Sequence, residues 1–181
     1  EGNTYQYTWL APHDAAGLAQ AFGGNQIAVT KLTELFELSD AAPDTDFPDP
    51  YYWHGNEPDL HAAFLFAEWG RPELTQEWVG WIQERRYALD STGLDGNDDG
   101  GTLSAWYLFA AVGLYPLNGT DRYVLTAPLF DPHAAHAAQH ALARAPDHPR
   151  GRAKHGRPAR VGRRGAGGED REETTNVILT P

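Results

Sequence analysis

The chain of 181 residues contains no cysteine, no methionine and no long hydrophobic run. Without cysteine there is neither a disulfide framework nor a thiolate for catalysis, and the redox compartment stays open. No stretch approaches the roughly eighteen apolar residues that a membrane span needs, so we predict no membrane partner. An initiating methionine and a signal-peptide pattern are also missing, and we therefore expect the chain to be a piece of a longer protein.

Basic residues are scarce in residues 1–130, which hold five lysines and arginines against nineteen aspartates and glutamates, a net charge of −14. Residues 131–181 hold nine basic and six acidic residues, a net charge of +3. The acidic part has no basic surface for phosphate groups, which argues against nucleic acid as a partner and favours a carbohydrate or cation site. Its tryptophans, tyrosines and phenylalanines are sufficient for the core of one globular domain.

Large apolar residues are almost absent from residues 131–181 until Val177. Such a segment cannot bury enough surface to offset its ordering entropy, so we predict a first domain over residues 1–130 and a disordered, low-complexity tail over residues 131–181. A misjoined reading frame would also explain the change in composition. The irregular spacing of the tail's histidines argues against a metal tract; they are His133, His136, His140, His148 and His155.

Helical patterns dominate the first 120 residues, and helices joined by long loops are typical of paired helices packed in layers. Asp14 is predicted to cap the first helix, and Ser104 the last. Residues 1–9 are predicted to be extended or a loop, and a short strand is predicted at residues 123–126 after the turn Asn118-Gly119. The predicted helices cover residues 15–22, 26–38, 58–69, 72–89 and 104–112. In the second of these, the residues predicted to face inward are Ile27, Leu32, Leu35 and Phe36.

The stretch WHGNEPDLH at residues 53–61 crowds imidazoles, carboxylates and an amide into the predicted start of a helix. Pro58 is favoured at a first helical position, where Asn56 or Glu57 can cap the free amides. Residues 62–67 are apolar on nearly every side, so the helix should be buried and its polar start should face a cavity. Burying such groups is costly unless they bind something. A cap cluster satisfied by its own backbone is the alternative.

The loop DSTGLDGNDDGGT at residues 90–102 concentrates acidic residues before the last predicted helix. Residues 95–100 match the opening of a helix-loop-helix calcium loop, but Trp106 stands at the twelfth position, where a bidentate glutamate is needed. A turn-rich loop without a ligand is the plain alternative. Hydrolysis of a glycosidic bond needs one protonated and one ionised carboxyl group on opposite sides of a sugar ring. Acidic segments at Glu1, Glu57 and residues 98–99 could converge in this way.

Several separate motifs occur in one order along residues 1–130. They are EGN at 1–3 with QY at 6–7, PHD at 12–14, HGNEP at 54–58, GNDDG at 96–100, SAWY at 104–107 and GLYP at 113–116. In this order they resemble glycoside hydrolase family 92. The resemblance implies a calcium-dependent exo-α-mannosidase that inverts the anomeric centre, built from an N-terminal β-sandwich and an (α/α)6 toroid.

The fold class we expect from this resemblance is all-α, part of an (α/α)6 toroid with a short β segment near its end and a disordered C-terminal tail. The β-sandwich and the earlier toroid helices would belong to the missing part of the parent protein. Thr102, where a longer polar residue is expected, and the tail after Phe130 depart from the family pattern.

The resemblance also implies residue roles. Glu1 would be the general acid, and Asp99 the base that activates water, with Asp98 or Asn97 supporting it. The implied calcium ligands are Asn56 and Glu57, and the implied substrate-binding residues are His54, Asn97 and Trp53. Pocket candidates of lower rank are His13 and His61.

Taken together, these residues predict removal of terminal α-linked mannose, with α-1,2 as the expected linkage, from a mannose-containing glycan by a calcium-assisted inverting mechanism. The fragment alone is expected to be inactive, and the parent protein to be secreted or periplasmic. Two alternatives remain: another (α/α)6 carbohydrate enzyme, such as a trehalase-like hydrolase or a sugar epimerase, and a non-catalytic helical module stabilised by calcium.

Overall fold

The computed structural model describes residues 2–42 and 49–130, and the described residues are mainly helical, as predicted. Glu1 and the whole predicted tail, with its five histidines, lie outside these ranges. No helix among the described residues is both long enough and apolar enough to pass through a membrane. The elements are α1 (Thr4–Tyr7), a 3₁₀ helix (Pro12–Asp14), α2 (Ala15–Phe22), α3 (Asn25–Ala41), α4 (Ala62–Glu68), α5 (Pro72–Arg85), α6 (Thr102–Val112), β1 (Leu114–Pro116) and β2 (Tyr123–Leu125).

Helix α1 replaces the extended segment predicted at the start of the chain. Asn3 and Gln6 form a capping box, in which the Asn3 side chain accepts the N–H of Gln6 and the Gln6 side chain accepts the N–H of Asn3. This reciprocal pair satisfies two free backbone donors at once. The prediction was wrong because the Asn-x-x-Gln spacing was not recognised as a helix start.

Helices α2 and α3 form the first hairpin. Asp14 caps α2 as predicted, since its carboxylate accepts the N–H of Gly17 at 2.9 Å, and the left-handed Gly23 ends the helix. Helix α3 buries Leu32, Leu35 and Phe36 as predicted, but Ile27 is exposed. At about 100° per residue, Ile27 lies far around the helix from the centre of that buried face. Helix α3 also extends to residue 41, into the predicted loop.

Helix α4 begins at Ala62 rather than directly after Glu57. Residues 57–61 form successive turns, in which Leu60 bonds back to Glu57 at 3.4 Å and Ala62 to Asp59 at 2.9 Å. The helical prediction failed here because the Asp59 carboxylate accepts the N–H of Trp53 at 2.9 Å and folds the segment back on itself. From Ala62 to Ala67, the predicted burial on all sides is confirmed, since no residue exceeds 5% exposure.

Helix α5 begins at Pro72 as predicted but ends at Arg85, four residues early. Tyr87 instead pairs with Leu94 in an isolated antiparallel bridge. Together, α4 and α5 form the second hairpin, joined at Gly70, whose φ of 81° suits glycine.

Helix α6 begins at Thr102, and the predicted cap Ser104 lies inside its first turn. Asp98 acts as the cap, because its carboxylate accepts both the N–H and the hydroxyl of Ser104 at 3.0 Å. Although residues 103–112 are mostly apolar, α6 is not buried on all sides. Leu103 and Trp106 are buried, whereas Leu108 is 59% exposed.

Strands β1 and β2 pair antiparallel, with Leu114 opposite Leu125. The strand predicted at residues 123–126 is confirmed as β2, and its partner β1 was not predicted. Under this hairpin the ring of Tyr115 stacks on Phe64 of α4, with centroids 3.6 Å apart. The indole N–H of Trp106 donates to the Leu60 carbonyl at 2.7 Å, so the starts of α4 and α6 lie side by side.

Candidate active site

Two loops line the candidate site. The first loop, residues 53–61, leads into α4, and the second loop, residues 95–101, leads into α6. They are about 40 residues apart in sequence. The core brings them together because each loop precedes a helix packed in the same aromatic cluster.

The first loop is largely buried and contains polar atoms without partners. The Oδ1 atom of Asn56 accepts the N–H of Glu57 at 3.2 Å, and its Nδ2 atom has no hydrogen-bond partner among the described residues. Asp59 accepts the N–H of Trp53 with one carboxylate oxygen, while its other oxygen lacks a partner in the described part of the chain. Burial raises the pKa of Asp59 well above its usual range, which favours the protonated carboxyl group.

His54 lies at the centre of a buried hydrogen-bonded chain. Its Nδ1 atom is 2.7 Å from the hydroxyl of Tyr52, and its Nε2 atom is 2.7 Å from the hydroxyl of Tyr87. The Tyr87 hydroxyl donates to the Leu103 carbonyl at 2.9 Å, so it accepts the Nε2 proton, and Nδ1 accepts from Tyr52. Burial, with a smaller contribution from Arg86, lowers the pKa of His54 to about 3. His54 is therefore a neutral residue without access to a ligand.

His61 and His13 also do not line the candidate site. His61 donates from Nε2 to the Trp9 carbonyl at 2.6 Å, and burial lowers its pKa despite this bond. His13 is exposed in the 3₁₀ helix, where its Cβ faces Gly119.

The second loop packs directly on the first through two glycines. A Cβ atom on Gly55 would lie 2.2 Å from the Asp95 carbonyl, and one on Gly96 would lie 3.0 Å from the Gly55 Cα. The indole N–H of Trp53 donates to the Asp95 carbonyl at 3.3 Å. Burial raises the pKa of Asp95 to about 6, and its Oδ2 atom has no hydrogen-bond partner among the described residues. Asp95 thus joins the two loops.

Adjacent aspartates in the second loop have different surroundings. Asp98 caps α6, as described above, so its carboxylate is occupied by Ser104. Asp99 is exposed and has a φ of 47°, and it is followed by two left-handed glycines, Gly100 and Gly101. Aspartate tolerates the left-handed region better than most residues. This run of three turns the chain sharply before α6 and leaves the Asp99 carboxylate beside the cavity.

An open cavity of about 490 Å³ lies between the two loops. It is lined by Trp53, Gly55, Asn56, Glu57, Gly96, Asn97 and Asp99. The structure therefore brings together five predicted site residues: Trp53, Asn56, Glu57, Asn97 and Asp99. It separates Asp98 and His54 from that lining, and the predicted general acid Glu1 lies outside the described residues.

The cavity offers hard oxygen donors on its first-loop side. Glu57 supplies an exposed carboxylate and Asn56 an amide, which are ligand types that Ca²⁺ accepts. Ca²⁺ takes about six to eight oxygens, so these residues fit as part of a larger set. Within residues 2–42 and 49–130, no group of three or more acidic or histidine side chains could hold a metal ion.

Sequence reasoning missed Asp95, Asp59 and Arg86. Asp95 was visible only as the first position of a calcium-loop pattern. Arg86 is buried beside Asp49 and Asp95, with a guanidinium nitrogen 2.7 Å from the Asp49 carboxylate. An arginine inside a predicted helix carries no sequence signal of burial, so its role required the tertiary structure.

Comparison with known proteins identifies a family for this chain. Residues 1–145 match the family model described as the Glycosyl hydrolase family 92 catalytic domain. This match passes the boundary predicted at residue 130, which stays a prediction. An uncharacterized secreted glycosidase of Arthroderma benhamiae is 29% identical over 131 residues, which are 72% of this chain and 16% of that protein.

Two solved structures that resemble this chain are also family GH92 enzymes. A family GH92 α-mannosidase from Bacteroides thetaiotaomicron, in complex with mannoimidazole, is 38% identical with a TM-score of 0.61, over 71% of this chain and 18% of that one. A family GH92 inverting mannosidase from Bacteroides thetaiotaomicron VPI-5482 is 32% identical with a TM-score of 0.59, over 72% of this chain and 20% of that one.

The chain spans at most 20% of the length of each of these three relatives. Its described helices are part of the (α/α)6 toroid of such enzymes, as predicted. On the family match, the structural similarity and the ordered set of motifs, the chain belongs to glycoside hydrolase family 92.

Proposed function

We propose that the parent protein is an exo-acting α-mannosidase that removes terminal α-1,2-linked mannose from a glycan with inversion and with the help of calcium. One observation carries this proposal: the first loop, with Asn56 and Glu57, and the second loop, with Asp99, line the same open cavity. The naming of solved relatives as mannosidases, one of them inverting, supports it.

In this mechanism Asp99 is the general base. Its exposed carboxylate borders the cavity and accepts a proton from the attacking water. Asp98 holds the first turn of α6 and so fixes the backbone on which Asp99 stands. Glu1 donates a proton to the leaving oxygen from the other side of the sugar. Inversion requires the two carboxyl groups to be about 6.5 to 9.5 Å apart, with the water between them.

The other cavity residues bind and orient the sugar. The half-buried Trp53 ring is suited to stacking on a sugar face, and the Asn97 amide to bonding a hydroxyl. Glu57 and Asn56 would hold the calcium ion with oxygens from outside the described residues. When bound, the ion would offer coordination positions for two vicinal hydroxyls of the mannose, which would help to distort the ring.

This chain by itself is expected to give little or no turnover. It holds one side of the cavity, and the proposed β-sandwich and earlier toroid helices of the parent protein would supply the opposite wall. A stand-alone preparation that hydrolyses an α-mannoside at the parent's rate would contradict this expectation.

The deciding experiment is hydrolysis of an aryl α-mannoside and of mannobioses of each linkage by the full-length parent, with calcium and then with chelator. NMR identifies the anomer that is released. Calcium-dependent release of β-mannose, fastest from the α-1,2 mannobiose, is the expected result. Release of α-mannose would refute inversion, and a different preferred mannobiose would refute the linkage. Calcium binding without turnover would favour a metal-stabilised module.

A further inference from the structure

A buried arginine lies behind the cavity, where three segments of the chain meet. Arg86 directly follows α5 and is 8% exposed. One guanidinium nitrogen donates to the Asp49 carboxylate at 2.7 Å, and the other lies 3.8 Å from the Asp95 carboxylate. The guanidinium also lies 4.9 Å from the ring centroid of Trp81. A planar guanidinium with several donors can hold two carboxylates in a defined geometry, which an ammonium group cannot do.

The Asp95 side of this cluster reaches both cavity loops. Asp95 belongs to the second loop, and its backbone packs against Gly55 of the first loop, where an added Cβ atom would lie 2.2 Å from the Asp95 carbonyl. That carbonyl accepts the indole N–H of Trp53, which lines the cavity. The position of Asp95 therefore affects the distance between the candidate metal ligands and the candidate base.

The Asp49 side of the cluster reaches the first segment of the chain. The carbonyl of Asp49 accepts the side-chain N–H of Gln6 at 2.7 Å, and the carbonyl of the next residue, Pro50, accepts that of Asn3 at 2.7 Å. Asn3 stands two residues after Glu1, the candidate acid. Arg86 thus connects the segment that follows the acid with the loop that carries the base.

We propose that Arg86 is a positioning residue that holds the first chain segment, the first loop and the second loop in one register. The inference rests on the proposed function. Arg86 does not line the cavity, so it acts through Asp49 and Asp95. An inverting reaction depends on the separation of its two carboxyl groups. A misplacement of about 1 Å in such a site costs on the order of 100-fold in rate.

The first test compares two neighbouring arginines in the full-length parent. Arg86→Lys keeps the charge but loses the planar fork, so one carboxylate loses its direct partner. Arg85→Lys is the matched control, since Arg85 is 53% exposed with its guanidinium 3.8 Å from Asp40 at the surface. We expect kcat per folded molecule to fall on the order of 100-fold in Arg86→Lys, with a much smaller change in KM, and to stay at the wild-type value in Arg85→Lys.

A second test uses two substrates to distinguish the Asp49 side of the cluster from the Asp95 side. Asp49→Asn should slow the hydrolysis of mannobiose more than that of an activated aryl α-mannoside. The leaving group of mannobiose needs a proton from the general acid, whereas the activated aryl leaving group does not. Asp95→Asn should slow both substrates to the same extent, because both need an activated water. A residue that only supports the fold would lower the yield of folded protein and leave this substrate ratio unchanged.

Two results would overturn the inference in distinguishable ways. Equal kcat values for Arg86→Lys and Arg85→Lys, in a parent that turns over mannosides, would refute the positioning role alone. A parent without calcium-dependent mannoside turnover would refute the proposed function, and the inference that rests on it would fall with it.

Discussion

The two cavity loops approach the same space but are held in different ways. The first loop is mostly buried, and its polar groups are fixed by other buried groups, such as Asp59 against Trp53 and His54 between two tyrosines. No residue of the second loop is fully buried, and its backbone geometry is fixed by the Asp98 cap and three consecutive left-handed residues. The side with the proposed calcium ligands thus depends on the core, whereas the side with the proposed base depends on local backbone geometry.

This difference suits the two proposed tasks. Buried neighbours of Asn56 and Glu57 restrict movement, which a metal site needs to select its ion and its ligand geometry. The carboxylate of Asp99 is exposed and can reach a water, as a general base must. Each loop therefore predicts a different response to mutation.

The largest expected effect lies in the second loop. Asp99→Asn removes the proton acceptor, so we expect kcat of the parent to fall about 10²- to 10⁴-fold while its circular dichroism stays unchanged. Asp90→Asn is a matched control, because Asp90 is exposed and its carboxylate accepts from the neighbouring Thr92. Steady-state kinetics on an aryl α-mannoside provide the measurement. An Asp99→Asn variant with wild-type kcat would remove Asp99 from the mechanism.

The next effect lies in the first loop. Glu57→Gln removes a charged oxygen ligand, and we expect the calcium affinity of the parent to fall by at least about 10- to 100-fold. Titration calorimetry measures this affinity directly. Glu73→Gln serves as the control, since Glu73 lies exposed in the first turn of α5. Equal calcium affinities in the two variants would move the metal site away from the first loop.

A smaller effect separates the neighbouring aspartates of the second loop. Asp98→Ala removes the cap of α6, and we expect a loss of about 1 kcal/mol in the free energy of unfolding. Asp98→Asn keeps a capping acceptor and should lose much less. Urea titration followed by circular dichroism measures both. If Asp98→Ala were as stable as the wild type, the capping bonds to Ser104 would contribute nothing to folding.

The smallest effect concerns pH and the buried His61 at the end of the first loop. Burial lowers the pKa of His61 in the folded state. Below about pH 6.5, His61 is therefore protonated in the unfolded state before it is protonated in the folded state. Its contribution to stability is complete above that pH and is lost as the pH falls. Wild-type protein should therefore lose more stability between pH 7 and pH 5 than His61→Gln does.

This pH comparison must be made between variants, because the raised pKa values of Asp59 and Asp95 act in the opposite direction. The contribution of those carboxyl groups to the free energy of unfolding is lost as the pH rises through their pKa values in the folded state. His13→Gln, at an exposed position, is the control and should follow the wild type. Parallel curves for His61→Gln and the wild type would show that folding does not lower the pKa of His61.

Much of the fold was predictable because it depends on local chemistry. Asp14 starts α2, Pro72 starts α5 and Gly119 turns the chain before β2, since each residue type has a backbone preference or a capping group that acts within a few positions. The clear failures came where a side chain six residues away formed a hydrogen bond that no residue preference indicated. Asp59 bends the start of α4 by bonding to Trp53, and Asp98 takes over the cap predicted for Ser104.

The chemistry of the candidate site was likewise visible in part. Asn56, Glu57, Asn97 and Asp99 have oxygen-bearing side chains in loops before helices, and the motif order indicated their family. His54 looked equally suited to binding, but only its burial between Tyr52 and Tyr87 shows that it is structural. Residue type does not reveal whether a side chain faces a cavity or the core.

The sequence by itself determined the helical class, the acidic and aromatic character of residues 1–130, and the set of residues from which a glycosidase site could be built. Tertiary structure decided which of these residues meet. Loops about 40 residues apart share one cavity because two glycines allow their backbones to touch and Asp95 bonds across them. Such a contact depends on the packing of α4 against its neighbours, which no local pattern encodes.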